Sequence, residues 1–267
     1  MLTITLIASL AGYLASALVF YAALVRHRAA STTLKWAQRL LVGTAVAHAT
    51  DIVARGIVLH ACPVLSAAFA LSLAAWVTVV GFLLWARSGR LLALGVIVSP
   101  LAIGMMVASV VLLGQDMAPE IPGWFLAFHV LANLSAVALF VFSAAAALAY
   151  LFLARRLKSK RPALAQVAFP GLSTLESLIQ RTLTIGLGPM TLGIVSGAAF
   201  AERLTHGGVE SLRIVLAYSC WLMAAGVVVG QRLIGWSGRK LAWGALLVAA
   251  VTIAVVVLYS LANGGSA

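Results

Sequence analysis

Charged side chains are scarce in this sequence. Asp, Glu, Lys and Arg make up 9% of its 267 residues, against about a quarter in soluble domains. Hydrophobic residues reach 63%, and the mean hydropathy is +1.11. This composition excludes an ordinary soluble domain, so the chain is predicted to be an all-α integral membrane protein whose constant partner is the lipid bilayer.

Acidic residues and cysteines are scarcer still. The six acidic residues are scattered along the chain, so no catalytic pair of carboxylates is expected. Cys62 and Cys220 have neither CxxC nor CxxCH spacing, which excludes the usual motifs for thiol–disulfide exchange and covalent haem attachment. The spacings HxxxH and HExxH are also missing, so a closed zinc site is not expected. No motif therefore predicts an enzyme.

Basic residues dominate the few charges and give a formal net charge of +12. No basic run is long or interleaved with aromatics, so no nucleic-acid partner is expected. Instead, 15 of the 18 basic residues fall in or beside alternate connections between apolar segments, namely Arg26, Arg28, Lys35, Arg39, Arg87, Arg90, Arg155, Arg156, Lys158, Lys160, Arg161, Arg181, Arg232, Arg239 and Lys240. The positive-inside rule then predicts that both termini lie on the outer, periplasmic side of a bacterial inner membrane.

Eight apolar segments approach the length of about 20 residues that a transmembrane helix needs. They are residues 2–25, 40–60, 64–86, 91–113, 124–153, 182–201, 212–231 and 241–261. The sequence thus predicts a bundle of eight transmembrane helices that forms one membrane domain over residues 1–267. In the longest cytoplasmic connection, 155–181, we expect a short interfacial helix that begins near Ser173 or Thr174 and has Glu176 in its first turn.

The second segment contains "AHATDIVARG", in which His48, Asp51 and Arg55 interrupt an apolar run. Spacings of three and four place the three side chains on one helical face. Burial of such groups in a membrane costs a few kcal/mol each, so they should face protein or water. We expect an Asp51–Arg55 pair and a hydrogen bond from the His48 ring to the Asp51 carboxylate.

Two interpretations of this polar stripe stay open. In one, it is a structural feature that holds helices together. In the other, it is a ligand or proton site with His48 as the reactive group, since a carboxylate commonly orients a metal-bound imidazole. Arg55 can then bind a carboxylate of the ligand, such as a haem propionate. His129 is a second candidate, about 7 Å from the outer hydrocarbon edge.

Three blocks of the sequence resemble, in order and spacing, the cytochrome c assembly protein family, the haem-handling membrane proteins of the CcsA and CcmC type. They are "FHVLANLSAVALFVFSAAAALAYLFLARRLKSK" (128–160), "LSTLESLIQRTLTIGLGPMTLGIVSGAAFAERL" (172–204) and "CWLMAAGVVVGQRLIGWSGRKLAW" (220–243). Together with "HATDIVAR", they are most similar to the eight-span branch of the YpjD and HemX kind. The family-like region spans approximately residues 40–261.

This resemblance implies non-covalent haem binding near the outer leaflet. His129 matches the family's first external histidine and His48 the intramembrane histidine of the branch, so both are candidate axial ligands of haem iron. Asp51 and Arg55 would support the cofactor. Other cytochrome c biogenesis membrane proteins and apocytochrome c are the implied partners.

The sequence also departs from the family. The outer loop "AERLTHGGVESLR" (201–213) has no tryptophan where the family has a Trp-rich motif, and Gln231 stands where a histidine is expected. The last segment lacks the family's final histidine. The preferred hypothesis is therefore an accessory, non-enzymatic haem-binding or haem-presenting protein of cytochrome c biogenesis. The alternatives are a HemX-like regulator of a tetrapyrrole-synthesis enzyme, acting through 155–181, and a carrier of protons or small solutes that uses His48 and Asp51.

Overall fold

The structure is a computed structural model that describes residues 2–25, 30–58, 67–86, 91–111, 123–159, 170–204 and 208–264. Within these ranges the chain is helical and has no strand. Eight α-helices follow one another, with a 3-10 turn (Leu91–Leu94) leading into the fourth. They are α1 (Leu2–Val25), α2 (Ala30–Val58), α3 (Ala67–Trp85), α4 (Gly95–Val111), α5 (Gly123–Lys158), α6 (Leu172–Leu204), α7 (Gly208–Ile234) and α8 (Gly238–Gly264).

Seven of these eight helices are long and apolar enough to cross a membrane. The other is α3, whose described apolar stretch, Leu71–Trp85, is shorter than a usual span. The prediction of an all-α, multi-pass membrane protein is thus confirmed, and the eight helices match the eight predicted segments in order. That all eight cross the bilayer, with the termini outside, stays a prediction.

The predicted helix start near Ser173 or Thr174 is confirmed, since α6 begins at Leu172, but the expectation of a short, separate interfacial helix before Arg181 is wrong. The chain turns at Pro170-Gly171, and α6 then runs without a break from Leu172 to Leu204. The helix continues because Leu175, Leu178 and Ile179 are buried in the core and keep it packed on the bundle. Glu176 is not in the first turn of α6.

The helices form two groups. In the first, α1 packs on α2 and α4, and α3 packs on α4 and α2. In the second, α5 packs on α6 and α8, and α7 packs on both α6 and α8. Helix α3 joins the groups, because it also packs on α5. At their boundary, the Phe82 ring of α3 lies 6.1 Å from the Phe142 ring of α5, measured between ring centroids.

Helix α5 is the most buried span, with 78% of its most apolar window inside the protein. Three of its alanines, Ala145, Ala146 and Ala147, are fully buried. Small residues let neighbouring backbones approach closely, which is how helices associate where lipid removes the hydrophobic driving force. The C-terminal end of α5, the start of α6 and the α7–α8 junction, which carry Arg155, Arg156, Lys158, Arg181, Arg232, Arg239 and Lys240, form what we call the basic end of the bundle.

The block "GWSG" (235–238) makes a compact connection at the basic end. Gly235 and Gly238 have φ values of 71° and 59°, which favour glycine. The Trp236 amide donates to the Gly230 carbonyl at 3.1 Å, and the Gly238 amide donates to the Glu176 carboxylate at 2.9 Å. Glu176 therefore ties the start of α8 to α6, a contact that the sequence did not predict.

Candidate functional site

His48 lies at the centre of the first helix group and is 0% exposed. The Tyr13 hydroxyl of α1 is 2.8 Å from its Nδ1. On the other side of the ring, the Ser72 hydroxyl of α3 is 2.9 Å from Nε2. The Tyr13 and His48 rings meet edge to face, with centroids 5.6 Å apart. One imidazole thus joins three helices, and neither of its nitrogens is open to a ligand in this conformation.

Asp51 lies one turn closer to the end of α2 and is also 0% exposed. The Thr5 hydroxyl of α1 donates to its Oδ1 at 2.6 Å, and Nη2 of Arg55 lies 2.9 Å from its Oδ2. The expected Asp51–Arg55 pair is therefore present. The expected hydrogen bond between His48 and Asp51 is not formed, because Tyr13 and Ser72 occupy both ring nitrogens.

Three partners of this cluster, Thr5, Tyr13 and Ser72, were missed in the sequence. A signal for two of them exists: Thr5, Ser9, Tyr13 and Ser16 recur at helical spacing in α1, and such a periodicity predicts a polar face. Ser9 and Ser16 satisfy carbonyls of their own helix. The polar stripe of α2 therefore faces a polar stripe of α1. We call the residues of this contact, Thr5, Tyr13, His48, Asp51 and Arg55, the polar seam.

His129 lies about two turns into α5, in the second helix group, and is half-buried. Its Nδ1 is 3.0 Å from the Ser196 hydroxyl of α6. Its Nε2 is 3.2 Å from the Asn133 side-chain amide, which also donates to the His129 carbonyl at 2.9 Å. His129 thus lies in the contact between α5 and α6, near the ends of both helices that are opposite to the basic end.

The hydrogen bonds of Ser196 favour one tautomer of His129. A serine hydroxyl has one hydrogen, and Ser196 directs it to carbonyls of its own helix, Leu192 at 2.7 Å and Gly193 at 3.0 Å. With its hydrogen on one of these carbonyls, the Ser196 oxygen accepts from Nδ1–H of His129, 3.0 Å away. The neutral ring consequently keeps a lone pair on Nε2, which faces the Asn133 amide.

Glycines of α6 make room for this arrangement. A Cβ on Gly197 would lie 2.8 Å from Cε1 of His129, and one on Gly193 would overlap the Asn133 amide. Further along the same antiparallel register, a Cβ on Gly186 would lie 2.8 Å from the Phe140 ring. These three glycines form the glycine face of α6, on which α5 rests.

The structure does not bring the two candidate ligands together. His48 is enclosed by α1, α2 and α3, whereas His129 lies between α5 and α6. The positions of His48 and His129 along their helices would allow one haem to contact both. The packing, however, places the two histidines in different helix groups. Asp51 and Arg55 stay with His48.

Several other residues considered in the sequence lie outside the part of the chain that the structure describes. His27, His60, His206 and Cys62 lie outside the described residues, as do residues 112–122 and 205–207 of the two predicted outer loops. Gln231 is described: its Oε1 is buried and, within the part of the chain that the structure covers, has no hydrogen-bond partner. Trp124, at the start of α5, is 75% exposed and its ring lies edge to face with that of Phe125 at 5.5 Å.

A family model described as "Cytochrome C assembly protein" matches residues 57–264. Curated relatives also match. A protein named "Cytochrome c biogenesis protein CcsA" from Prochlorococcus marinus (strain MIT 9303) is 36% identical over 87 residues, or 32% of this chain and 26% of the relative. One of the same name from Synechococcus sp. (strain RCC307) is 36% identical over 74 residues, or 27% and 24%. The matched part spans about a quarter of each relative, and no solved structure matches.

Proposed function

Because the chain belongs to the cytochrome c assembly protein family, we propose that it is an accessory membrane protein of cytochrome c biogenesis that binds haem non-covalently near the outer leaflet. The observation that carries this proposal is the state of His129. Its ring is half-buried at the contact between α5 and α6, with Nδ1 3.0 Å from the Ser196 hydroxyl and Nε2 3.2 Å from the Asn133 amide. A second group that holds the other ring nitrogen is the usual arrangement for an imidazole that binds a metal.

The surroundings of His129 suit haem. Haem would supply the iron, and Nε2 of His129 would hold it if the Asn133 side chain turned away from the ring. The Gly197 position has no Cβ to crowd the ring. Trp124 and Phe128 are exposed on the same end of α5, and their rings offer apolar contacts to a macrocycle although the outer loop lacks the Trp-rich motif.

In this proposal His48, Asp51 and Arg55 do not touch haem. Both nitrogens of His48 are bonded and its side chain is fully buried, so ligation would require the three-helix contact to open. Asp51 and Arg55 neutralise each other inside the same group. Of the two interpretations of the polar stripe, this proposal takes the structural one: the polar seam holds α1, α2 and α3 together.

We propose further that the chain belongs to the eight-span branch of the YpjD and HemX kind, that it lies in a bacterial inner membrane, and that the basic end is cytoplasmic. Concentration of Lys and Arg on one set of connections supports this orientation. His129 is then near the periplasmic side, where other biogenesis membrane proteins and apocytochrome c are the expected partners.

The decisive measurement is the visible spectrum of the detergent-purified protein with added haem. Wild type should give a Soret band with low-spin α and β bands at one haem per chain, and His129→Ala should lose them. The matched control is His48→Asn, which removes a histidine from the other helix group and should keep the bands. Absence of stoichiometric haem, or a His129→Ala spectrum like that of wild type, would exclude the proposal.

The HemX-like regulatory alternative depends on residues 155–181. The structure divides this segment between the end of α5 and the start of α6, and residues 160–169 lie outside its description. Capture of a soluble tetrapyrrole-synthesis enzyme that requires 155–181, and that persists in His129→Ala, would favour regulation over haem binding.

A further inference from the structure

A cavity of about 390 Å³ lies at the basic end of the bundle. Its lining comes from the end of α3, the 3-10 turn and the first three turns of α6, and consists of Trp85, Leu91, Ser173, Thr174, Ser177, Leu178 and Arg181. Arg181 is 16 residues before Gly197 in α6, which corresponds to about 24 Å along the helix. This cavity is therefore separate from the His129 region, and the proposed haem site does not use it.

One wall of the cavity is polar and carries a single sign of charge. Ser173, Ser177 and Arg181 recur every four residues and share one face of α6, with Thr174 beside them. The lining contains no carboxylate. Among the residues that the structure describes, the ion pair found is that between Arg55 and Asp51, so Arg181 has no acidic partner there. Hydroxyl and guanidinium donors that converge without an acidic partner suit an oxyanion, to which a guanidinium donates two parallel hydrogen bonds.

The opposite wall is apolar. Trp85 and Leu91 supply it from the end of α3 and the 3-10 turn, and the buried Leu178 of α6 adds a third apolar side chain to the lining. A freely soluble anion gains nothing from an indole and two leucine side chains, whereas an amphiphile buries its apolar part against them. Tryptophan is also typical of the membrane–water interface, where charged headgroups meet acyl chains.

We propose that this cavity binds the phosphate of an anionic phospholipid headgroup, with Arg181 as the principal ligand and Ser173, Thr174 and Ser177 as hydrogen-bond donors. Trp85 and Leu91 pack on the glycerol backbone and the first carbons of the acyl chains. Because Trp85 and Leu91 belong to the first helix group and the polar wall belongs to the second, the bound headgroup bridges the two groups at the basic end.

The test uses the full chain in nanodiscs of phosphatidylcholine with a small fraction of phosphatidylglycerol, and native mass spectrometry to count retained phosphatidylglycerol. Wild type should retain one molecule that survives delipidation. Arg181→Gln should weaken its binding about tenfold or more, because it removes a charge-assisted pair of hydrogen bonds. Ser177→Leu should have a similar effect with the cation in place, because leucine fills the cavity. The matched control is Arg232→Gln, at a basic residue of the same end that is exposed as Arg181 is but does not line the cavity, and it should change binding less than about twofold.

A conservative variant and a competition with inorganic phosphate test the proposal further. Arg181→Lys retains the charge but not the planar fork, so it should fold as wild type and bind several-fold more weakly. Inorganic phosphate at millimolar concentration should not displace the lipid; displacement would assign the cavity to a soluble anion. Equal loss in Arg232→Gln and Arg181→Gln would show general attraction to a charged surface, and unchanged binding in the Arg181 and Ser177 variants would remove the site. Elution volume and helical circular dichroism establish that each variant is folded.

Discussion

The two helix groups each hold one described histidine at a helix–helix contact, and the two rings are held in different ways. His48 is fully buried and bonded through both nitrogens to other helices. Its partners, Tyr13 and Ser72, can each donate or accept, so either neutral tautomer satisfies the site. His129 is half-buried, with the Ser196 hydroxyl at Nδ1 and the Asn133 amide at Nε2. The two rings therefore differ in burial and in the helices that hold them: His48 joins three helices, and His129 lies between two.

The family match covers parts of both helix groups. It begins at residue 57, so it includes α3 and α4 of the first group and the whole of the second. His129 and its contacts on α6 lie inside the match, whereas Thr5, Tyr13, His48, Asp51 and Arg55 lie before it. A family function is therefore expected at His129 rather than at His48, and the stability of the first group should depend on the polar seam.

The largest effect should follow from Asp51→Ala. The substitution leaves the Arg55 guanidinium, which is 16% exposed, without its counter-charge, and removal of one partner of a buried pair costs about 3 kcal/mol or more. We expect the free energy of unfolding, measured by denaturant titration in mixed micelles, to fall by that amount. The haem spectrum of the folded fraction should stay as in wild type.

The control for Asp51→Ala is the double variant Asp51→Ala/Arg55→Ala. It removes both charges, so it should be more stable than the single variant despite one more substitution. A loss below about 1 kcal/mol in the single variant would show that Arg55 reaches water, and that the seam contributes little.

The next effect concerns the glycine face of α6. In Gly197→Ala the new Cβ lies 2.8 Å from Cε1 of His129, so the ring must move away from Ser196. Such overpacking costs about 2 kcal/mol, and we expect the low-spin haem bands to be lost with it. The matched control in the same helix is Gly188→Ala, where nothing lies within 4 Å of the new Cβ; stability and haem spectrum should both be retained.

Much of this fold follows from the sequence because each helix is a continuous apolar run. The polar stripe of α2 was also predictable, since spacing alone puts His48, Asp51 and Arg55 on one face. Spacing cannot tell which other helix supplies the partners. Tyr13 satisfies His48 because α1 packs antiparallel to α2 in a register that also brings Thr5 to Asp51, and that register is a property of the whole bundle.

The expected break between a short helix and the sixth span was wrong for a related reason. The charges of Glu176 and Arg181 are typical of a surface helix, and from sequence they separate it from the apolar span that follows. In the structure Glu176 accepts the Gly238 amide of α8, so a tertiary contact satisfies the charge and the helix continues. Likewise, only packing on the glycine face shows that His129 and Asn133 lie against α6.

A smaller effect is expected for Tyr13→Phe. This change removes one hydrogen bond to Nδ1 of His48 but keeps the ring in its buried position, so the free energy of unfolding should fall by about 1 kcal/mol. His48 can still donate to Ser72 from Nε2. A loss of haem binding in Tyr13→Phe, with stability intact, would break the division between a structural and a ligand-binding histidine.

The smallest effect on stability is expected for Ser196→Ala, and this variant is also the sharpest test of the difference between His48 and His129. The change removes the hydrogen bond between Ser196 and Nδ1 of His129, whose ring is only half-buried, so the free energy of unfolding should fall by about 0.5 kcal/mol, the low end for one hydrogen bond. It should nevertheless weaken haem binding several-fold, because the other ring nitrogen loses the acceptor that favours this tautomer. Ser72→Ala, the equivalent change beside His48, should do the opposite and lower stability without altering the spectrum. If both serine variants lower stability equally and leave the haem titration unchanged, Ser196 is only a packing residue and the two histidines do not differ in function.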